Sequence, residues 1–270
     1  MNARRARNCA VVVCAVALWL AACVPPAPPP PRPTATAAAK ARPTAVRPGS
    51  AEDAKQRGRR DGLEGGTLVF ADDFERAELG GDWRFDQPGE WTVEAGALRS
   101  NRVEVYEERN KGVWLKRPLP TRVRVEFRGE VRSGSGDIKC EIFATEPKHE
   151  AGYSVIFGGW NNTINAIARL GEHEPARRVQ RPHVPVRSQQ RYLWTLVRTD
   201  GVVRWYVDGR FMLAYDDAAP VQGGYFGFNN WLSDVRFDEV RVYDLDAPAA
   251  PAVPGAPAAL PAAATEPGVR

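Results

Sequence analysis

Between residues 192 and 215 three apolar runs are joined by two Asp-Gly pairs. Tyr192 to Thr199 meets Val202 to Val207 across Asp200-Gly201, and Arg210 to Tyr215 follows across Asp208-Gly209. A two-residue hairpin link needs positive φ, which glycine adopts without a Cβ clash, so Asp-Gly between such runs closes an antiparallel hairpin. Two links in succession make a three-stranded meander. A meander presents an apolar face that it cannot bury by itself, so the remaining chain must supply a second layer.

The remaining runs are also short and β-like. Leu68 to Phe70, Trp91 to Glu94, Ala97 to Ser100 and Val113 to Leu115 come first. Val123-Val125-Phe127 alternates with Arg122, Arg124 and Arg128, and Ile138-Cys140-Ile142 alternates in the same way. This is the period-two pattern of strands with one face inward. Tyr153 to Phe157 turns at Gly158-Gly159 into Ile164 to Leu170, and Tyr225 to Asn229 and Val235 to Tyr243 close the series. No segment holds helical periodicity over three turns. About a dozen short strands in roughly 180 residues predict an all-β sandwich or closed barrel.

The flanks have a different composition. Arg4, Arg5 and Arg7 precede an uncharged apolar run from Cys9 to Ala22. That run is shorter than the roughly 20 residues of a membrane-spanning helix and fits a secretory signal. Leu20-Ala21-Ala22-Cys23 matches the lipobox of bacterial lipoproteins, so residues 1–22 read as a signal peptide and Cys23 as the site of lipid attachment. Residue 24 is Val rather than Asp, which resembles lipoproteins sorted to the outer membrane. Residues 23–66, rich in Pro, Ala, Thr and Arg, read as an extended, disordered linker. The Ala/Pro-rich tail 247–270 reads likewise, leaving 67–246 as one domain.

The net charge of +4 belongs to the flanks, because residues 67–246 carry 25 basic and 28 acidic side chains. A nucleic-acid binder places its positive charge on the folded surface, so nucleic acid is not expected as a partner. With Cys9 and Cys14 in the signal and Cys23 acylated, Cys140 is left alone in the domain. It has no partner for a disulfide and reads as a buried apolar filler.

Two groups of motifs carry a family resemblance. Near the start stand Phe70-Ala-Asp-Asp-Phe-Glu-Arg76, Gly81-Asp-Trp83 and Trp91-Thr-Val-Glu-Ala-Gly-Ala-Leu98. Near the end stand Val207-Asp-Gly-Arg210, Gly223-Gly-Tyr-Phe-Gly-Phe228 and Val235-Arg-Phe-Asp-Glu-Val-Arg-Val-Tyr243. Together they resemble the concanavalin A-like jelly rolls of bacterial surface proteins, among them 3-keto-disaccharide hydrolase-like and laminin-G-like domains. The resemblance implies a two-sheet sandwich, side-by-side pairing of the first and last strands, and one concave face used for carbohydrate.

Family 16 glycoside hydrolases of this fold carry Glu-x-Asp-x-Glu on one strand. The nearest match here is Asp137-Ile-Lys-Cys-Glu141. Its acids share a face with Lys139, opposite the apolar 138, 140 and 142, and read as a solvated strand face. The densest polar cluster runs from Gly158 to His173. Trp160, Asn161, Asn162, Asn165, Arg169, Glu172 and His173, with Trp231 from another loop, are the group types that stack on a pyranose and bond its hydroxyls. The alternative is that the tryptophans belong to the core and the asparagines form turns. Asp72, Asp73 and Glu75 with Asp238 form an oxygen-rich set that suits a structural Ca²⁺, or acids that guard strand edges. No other cofactor is expected. These observations leave two readings open: a membrane-anchored, non-catalytic module binding glycan, cell-wall polysaccharide or another envelope component, or a glycoside hydrolase or lyase acting on a disaccharide or polysaccharide.

Overall fold

The computed structural model describes residues 61–86, 90–101, 111–134, 136–182 and 184–248. Cys23, the signal peptide and nearly all of the linker and tail lie outside them. Among the described residues no helix is long and apolar enough to cross a membrane.

The strands are β1 (Thr67–Asp72), β2 (Trp83–Phe85), β3 (Thr92–Val93), β4 (Leu98–Asn101), β5 (Gly112–Leu115), β6 (Val123–Gly134), β7 (Ile138–Ala144) and β8 (Tyr153–Gly158). They continue with β9 (Ile164–Arg169), β10 (Arg178–Pro182), β11 (Tyr192–Thr199), β12 (Val202–Val207), β13 (Arg210–Asp216), β14 (Tyr225–Asn229) and β15 (Ser233–Asp244). They form two antiparallel sheets. One runs β13-β12-β11-β6-β15-β4-β3, with β1 also on β15; the other runs β10-β9-β8-β7-β14-β5-β2. The fold is all-β, a two-sheet jelly-roll sandwich. The first and last strands pair antiparallel, Thr67 opposite Asp244.

Both Asp-Gly links behave as their composition requires. Asp200 and Gly201 have φ of 51° and 83°, and Asp208 and Gly209 have 49° and 73°. Positive φ at both central residues matches the twist of the strands they join. Two strands escaped the sequence pattern. β2 is only three residues long, and β10 (Arg-Val-Gln-Arg-Pro) is a polar strand at a sheet edge, where a proline is tolerated.

Between the sheets lies an aromatic core. Phe127 of β6 stacks on Trp194 of β11 at 5.2 Å and Phe228 of β14 on Phe237 of β15 at 3.9 Å, while Trp194 meets Trp205 of β12 at a tilt, 4.8 Å between centroids. The inward residues of β7, Ile138, Cys140 and Ile142, complete that layer. Burial pushes the Cys140 thiol well above its usual range, with a smaller push from Glu141. The thiol is therefore protonated and inert. Ordered contacts also begin upstream of β1, since the Arg124 guanidinium donates to the carbonyls of Gly62 and Gly65 at 3.2 and 2.9 Å.

β7 is the middle strand of the seven-stranded sheet. Its outward residues are not solvated, which corrects the reading of that face. Asp137, Lys139 and Glu141 are only 5%, 2% and 0% exposed. The loops after β7, β8, β9 and β14 rise over this face and shield it.

Candidate functional site

The cleft over β7 is built from the floor upward. Glu141 opposes Ser154 across the β7–β8 ladder. The Ser154 hydroxyl donates to its carboxylate at 2.9–3.0 Å, and His149 Nδ1 lies 2.6 Å from Oε1. Burial opposes charging of His149, but its bonds to Glu141 and Glu172 outweigh that and hold the imidazole pKa at about 9. The ring is therefore a cation at neutral pH. Its Nε2 faces Glu172 Oε1 at 3.7 Å.

Glu172, from the loop after β9, is the hub of the floor. Lys139 Nζ lies 3.1–3.2 Å from its two oxygens. Burial disfavours the carboxylate, yet Lys139 and then His149 overcome this and hold it at about 2. The backbone fixes it as well: Glu172 N–H donates to Glu150 Oε1 at 2.6 Å, and Arg178 donates to the Glu172 carbonyl at 2.6 Å. Asp137 differs from its neighbours. It is fully buried, and its Oδ1 has no hydrogen-bond donor. Burial raises its pKa to about 7, with Lys139 only partly offsetting the desolvation.

The walls are aromatic. Trp160 and Trp231, both half-buried, line a cleft of about 260 Å³ above Asp137, Lys139 and Glu172, and Asn161 and His173 complete the rim. Trp160 is held in an unusual way. After Gly158 (φ 78°), Trp160, Asn161 and Asn162 have φ of 52°, 57° and 61°. A left-handed residue with a Cβ costs roughly 1–2 kcal/mol, less for Asn, and such strain tends to collect at functional sites. Side-chain clamps hold the turn. Asn162 donates from Nδ2 to the Val186 carbonyl and accepts the Val186 N–H, both at 2.8 Å. Asn165 accepts the Gly158 N–H at 3.0 Å and donates to the Val184 carbonyl at 3.1 Å. The Arg178 guanidinium lies 4.4 Å from the Trp160 ring centroid and braces it from β10.

The predicted cluster therefore divides. Trp160, Asn161, Glu172, His173 and Trp231 converge on the cleft. Asn162 and Asn165 do not reach it, because their amides are spent on backbone clamps. Arg169 is also elsewhere: it stands at the far end of β9 and binds Asp217 at 2.6 Å and the Ala219 carbonyl at 2.9 Å. Asp137, Lys139, Glu141 and His149 belong to the site and were missed as members. Their one sequence signal was three ionisable residues at alternate positions of a strand.

The proposed calcium set is not assembled. Both Asp72 oxygens are taken by Arg76, at 2.5 and 2.8 Å, and Oδ2 also accepts the Trp83 indole N–H at 2.7 Å. Asp238 is engaged by Arg191 at 2.6 Å. Asp73 accepts the Glu75 N–H in a local turn. Among the described residues, the group that brings three ligand atoms within 4.8 Å of one another is His149, Glu150 and Glu172. The Lys139 ammonium already neutralises Glu172 there.

The fold is that of a concanavalin A-like jelly-roll sandwich. The chain is similar to SCLam, a non-specific endo-β-1,3(4)-glucanase from family GH16 (18% identity, 66% of this chain and 91% of that one, TM-score 0.52). It is also similar to the endo-β-1,3-glucanase of Pyrococcus furiosus (16%, 66% and 94%, 0.52) and the laminarinase of Rhodothermus marinus (16%, 67% and 98%, 0.52). Identities this low speak for the fold. A family model described as farnesoic acid O-methyl transferase matches residues 140–241. That match takes in Glu141, His149, Trp160, Glu172 and Trp231 and begins after Asp137 and Lys139. No curated protein matches.

Proposed function

We propose that this protein is a lipid-anchored envelope protein whose jelly roll holds a saccharide in the Trp160–Trp231 cleft without cleaving it. The observation that carries the reading is the pairing of two half-buried indoles with a floor of buried, fixed polar groups. An indole face suits the apolar face of a pyranose, and a rigid polar floor orients its hydroxyls. The three solved neighbours above are named as glucanases or a laminarinase, which favours a saccharide as the ligand of this fold. The lipobox at Cys23 supports anchoring, with the outer membrane as the destination and the linker as the spacer.

The binding reading is preferred to hydrolysis because of the carboxylates. Two-carboxylate glycoside hydrolysis needs an acid and a second carboxylate free to attack or to activate water. Glu141 is held by Ser154 and His149, and Glu172 by Lys139 and His149. Of these three carboxylates, Asp137 combines an oxygen without a hydrogen-bond partner with the neutral-range pKa of a general acid, which is the one observation favouring a hydrolase. A glycan array with the wild type and Trp160→Ala, followed by product analysis on every hit, tests the proposal. Binding that Trp160→Ala removes, with no shortened product, supports it. Cleaved product would establish the hydrolase, and no glycan binding would overturn both readings.

A further inference from the structure

We propose that the cleft selects a saccharide bearing a free amino group, and that Asp137 Oδ1 receives that group. The inference rests on the saccharide-binding reading and names the ligand class. It begins with a buried acceptor, without a donor, on a residue that lines the cleft. Such an atom incurs the full desolvation penalty, and an incoming donor relieves it.

Charge parity then distinguishes the donor. On β7, Lys139 is a cation and Glu141 an anion. From the loop after β7 comes the His149 cation, and from the loop after β9 the Glu172 anion. These four cancel in bonded pairs. At the rim, Glu150 and Arg178 add one charge of each sign, and His173 stands exposed. Asp137 is the odd charge, with Ser233 of β15 as a neutral neighbour. Burial raises its pKa to about 7, and the Glu172 carboxylate adds to the rise against the pull of Lys139. A hydroxyl would satisfy the oxygen, but an ammonium would satisfy the oxygen and the charge together, making a charge-assisted bond. The walls agree, since aromatic faces attract cations and both indoles already face one, Arg178 at Trp160 and Lys139 at Trp231. A uronic acid would instead set a second carboxylate against Asp137 and Glu172.

Titration calorimetry of the purified protein with chitosan oligomers, N-acetylated oligomers of equal length and laminari-oligosaccharides tests this. At about pH 6 most of the amine is protonated, and the free-amine oligomer should bind about tenfold tighter than its acetylated twin. Asp137→Asn should erase that gap. A second measurement needs no variant: the wild-type preference should disappear by about pH 8.5, where the sugar amine has lost its proton. Equal affinity for the two oligomers, or a preference that survives in Asp137→Asn, would overturn the amine inference and leave saccharide binding standing. Failure to bind any of the three sugars would overturn the saccharide reading, and the inference with it.

Discussion

Asp137→Asn should make the unliganded protein more stable, and the gain should depend on pH in a defined direction. The Asp137 carboxyl has a pKa of about 7 in the fold against 3.8 for an exposed aspartate. The folded state therefore binds the proton more tightly than the unfolded chain. Stability attributable to this group is greatest below the lower value and falls as pH rises toward 7. Each tenfold change in proton affinity is worth about 1.36 kcal/mol, so the full loss is roughly 4 kcal/mol. Asparagine is close in shape and cannot ionise, but its amide lies near Lys139 and returns part of the gain. The expected stabilisation is about 2–4 kcal/mol at pH 8 and close to nil at pH 4. For a domain of this size that corresponds to a rise in Tm of roughly 4–16 °C at pH 8. Thermal melts followed by circular dichroism between pH 4 and 8 read it directly. A variant less stable than wild type at pH 8, or one whose gain is the same at pH 4, would refute the claim that an uncompensated acid lies beneath the cleft.

Further expectations follow from the same network and from the flanks. His149→Ala should cost about 3 kcal/mol, because it strips the buried Glu141 of its cation. The His149 pKa is raised from 6.5 to about 9, so the wild-type advantage should be full below the first value and gone as pH passes the second; urea titrations giving a pH-independent difference would contradict this. Trp160→Ala should lose glycan binding while the protein still melts cooperatively, since the ring is only half-buried and the turn is held by Asn162 and Asn165; an unfolded variant would make the indole a core residue. Cys23→Ser should abolish palmitate labelling and release the protein from membranes, and labelling that persisted would end the lipoprotein reading.

The sheet architecture was legible because hairpin chemistry is local. Asp200-Gly201 and Asp208-Gly209 specify their own turns, and β11, β12 and β14 occupy the spans their apolar runs mark. β10 was not legible, because an edge strand need not alternate to satisfy its ladder. The site was legible in part. Trp160 and Trp231 are recognisable as aromatic groups in turns, but nothing local separates Asn161, which faces the cleft, from Asn162, which faces Val186. That distinction is set by the left-handed turn and by the segment it docks on. The outward row of β7 was misread for a similar reason. Alternation reveals that 137, 139 and 141 share a face, but whether that face meets water depends on loops distant in sequence. A lysine between two acids on alternate positions was the available hint, since such a row suits a shielded, charge-paired floor as well as a solvated one.

The central claim is that ligand enters between Trp160 and Trp231. Titration followed by two-dimensional NMR of the indole N–H groups tests it most directly, because the seven tryptophans beyond the signal peptide give separate reporters and most of the described ones are core residues. With a saccharide identified by array, the Trp160 and Trp231 resonances should move along one saturable curve while those of Trp194 and Trp205, buried between the sheets, stay in place. Saturable shifts at other tryptophans, with Trp160 and Trp231 unmoved, would place the binding surface elsewhere and contradict the account.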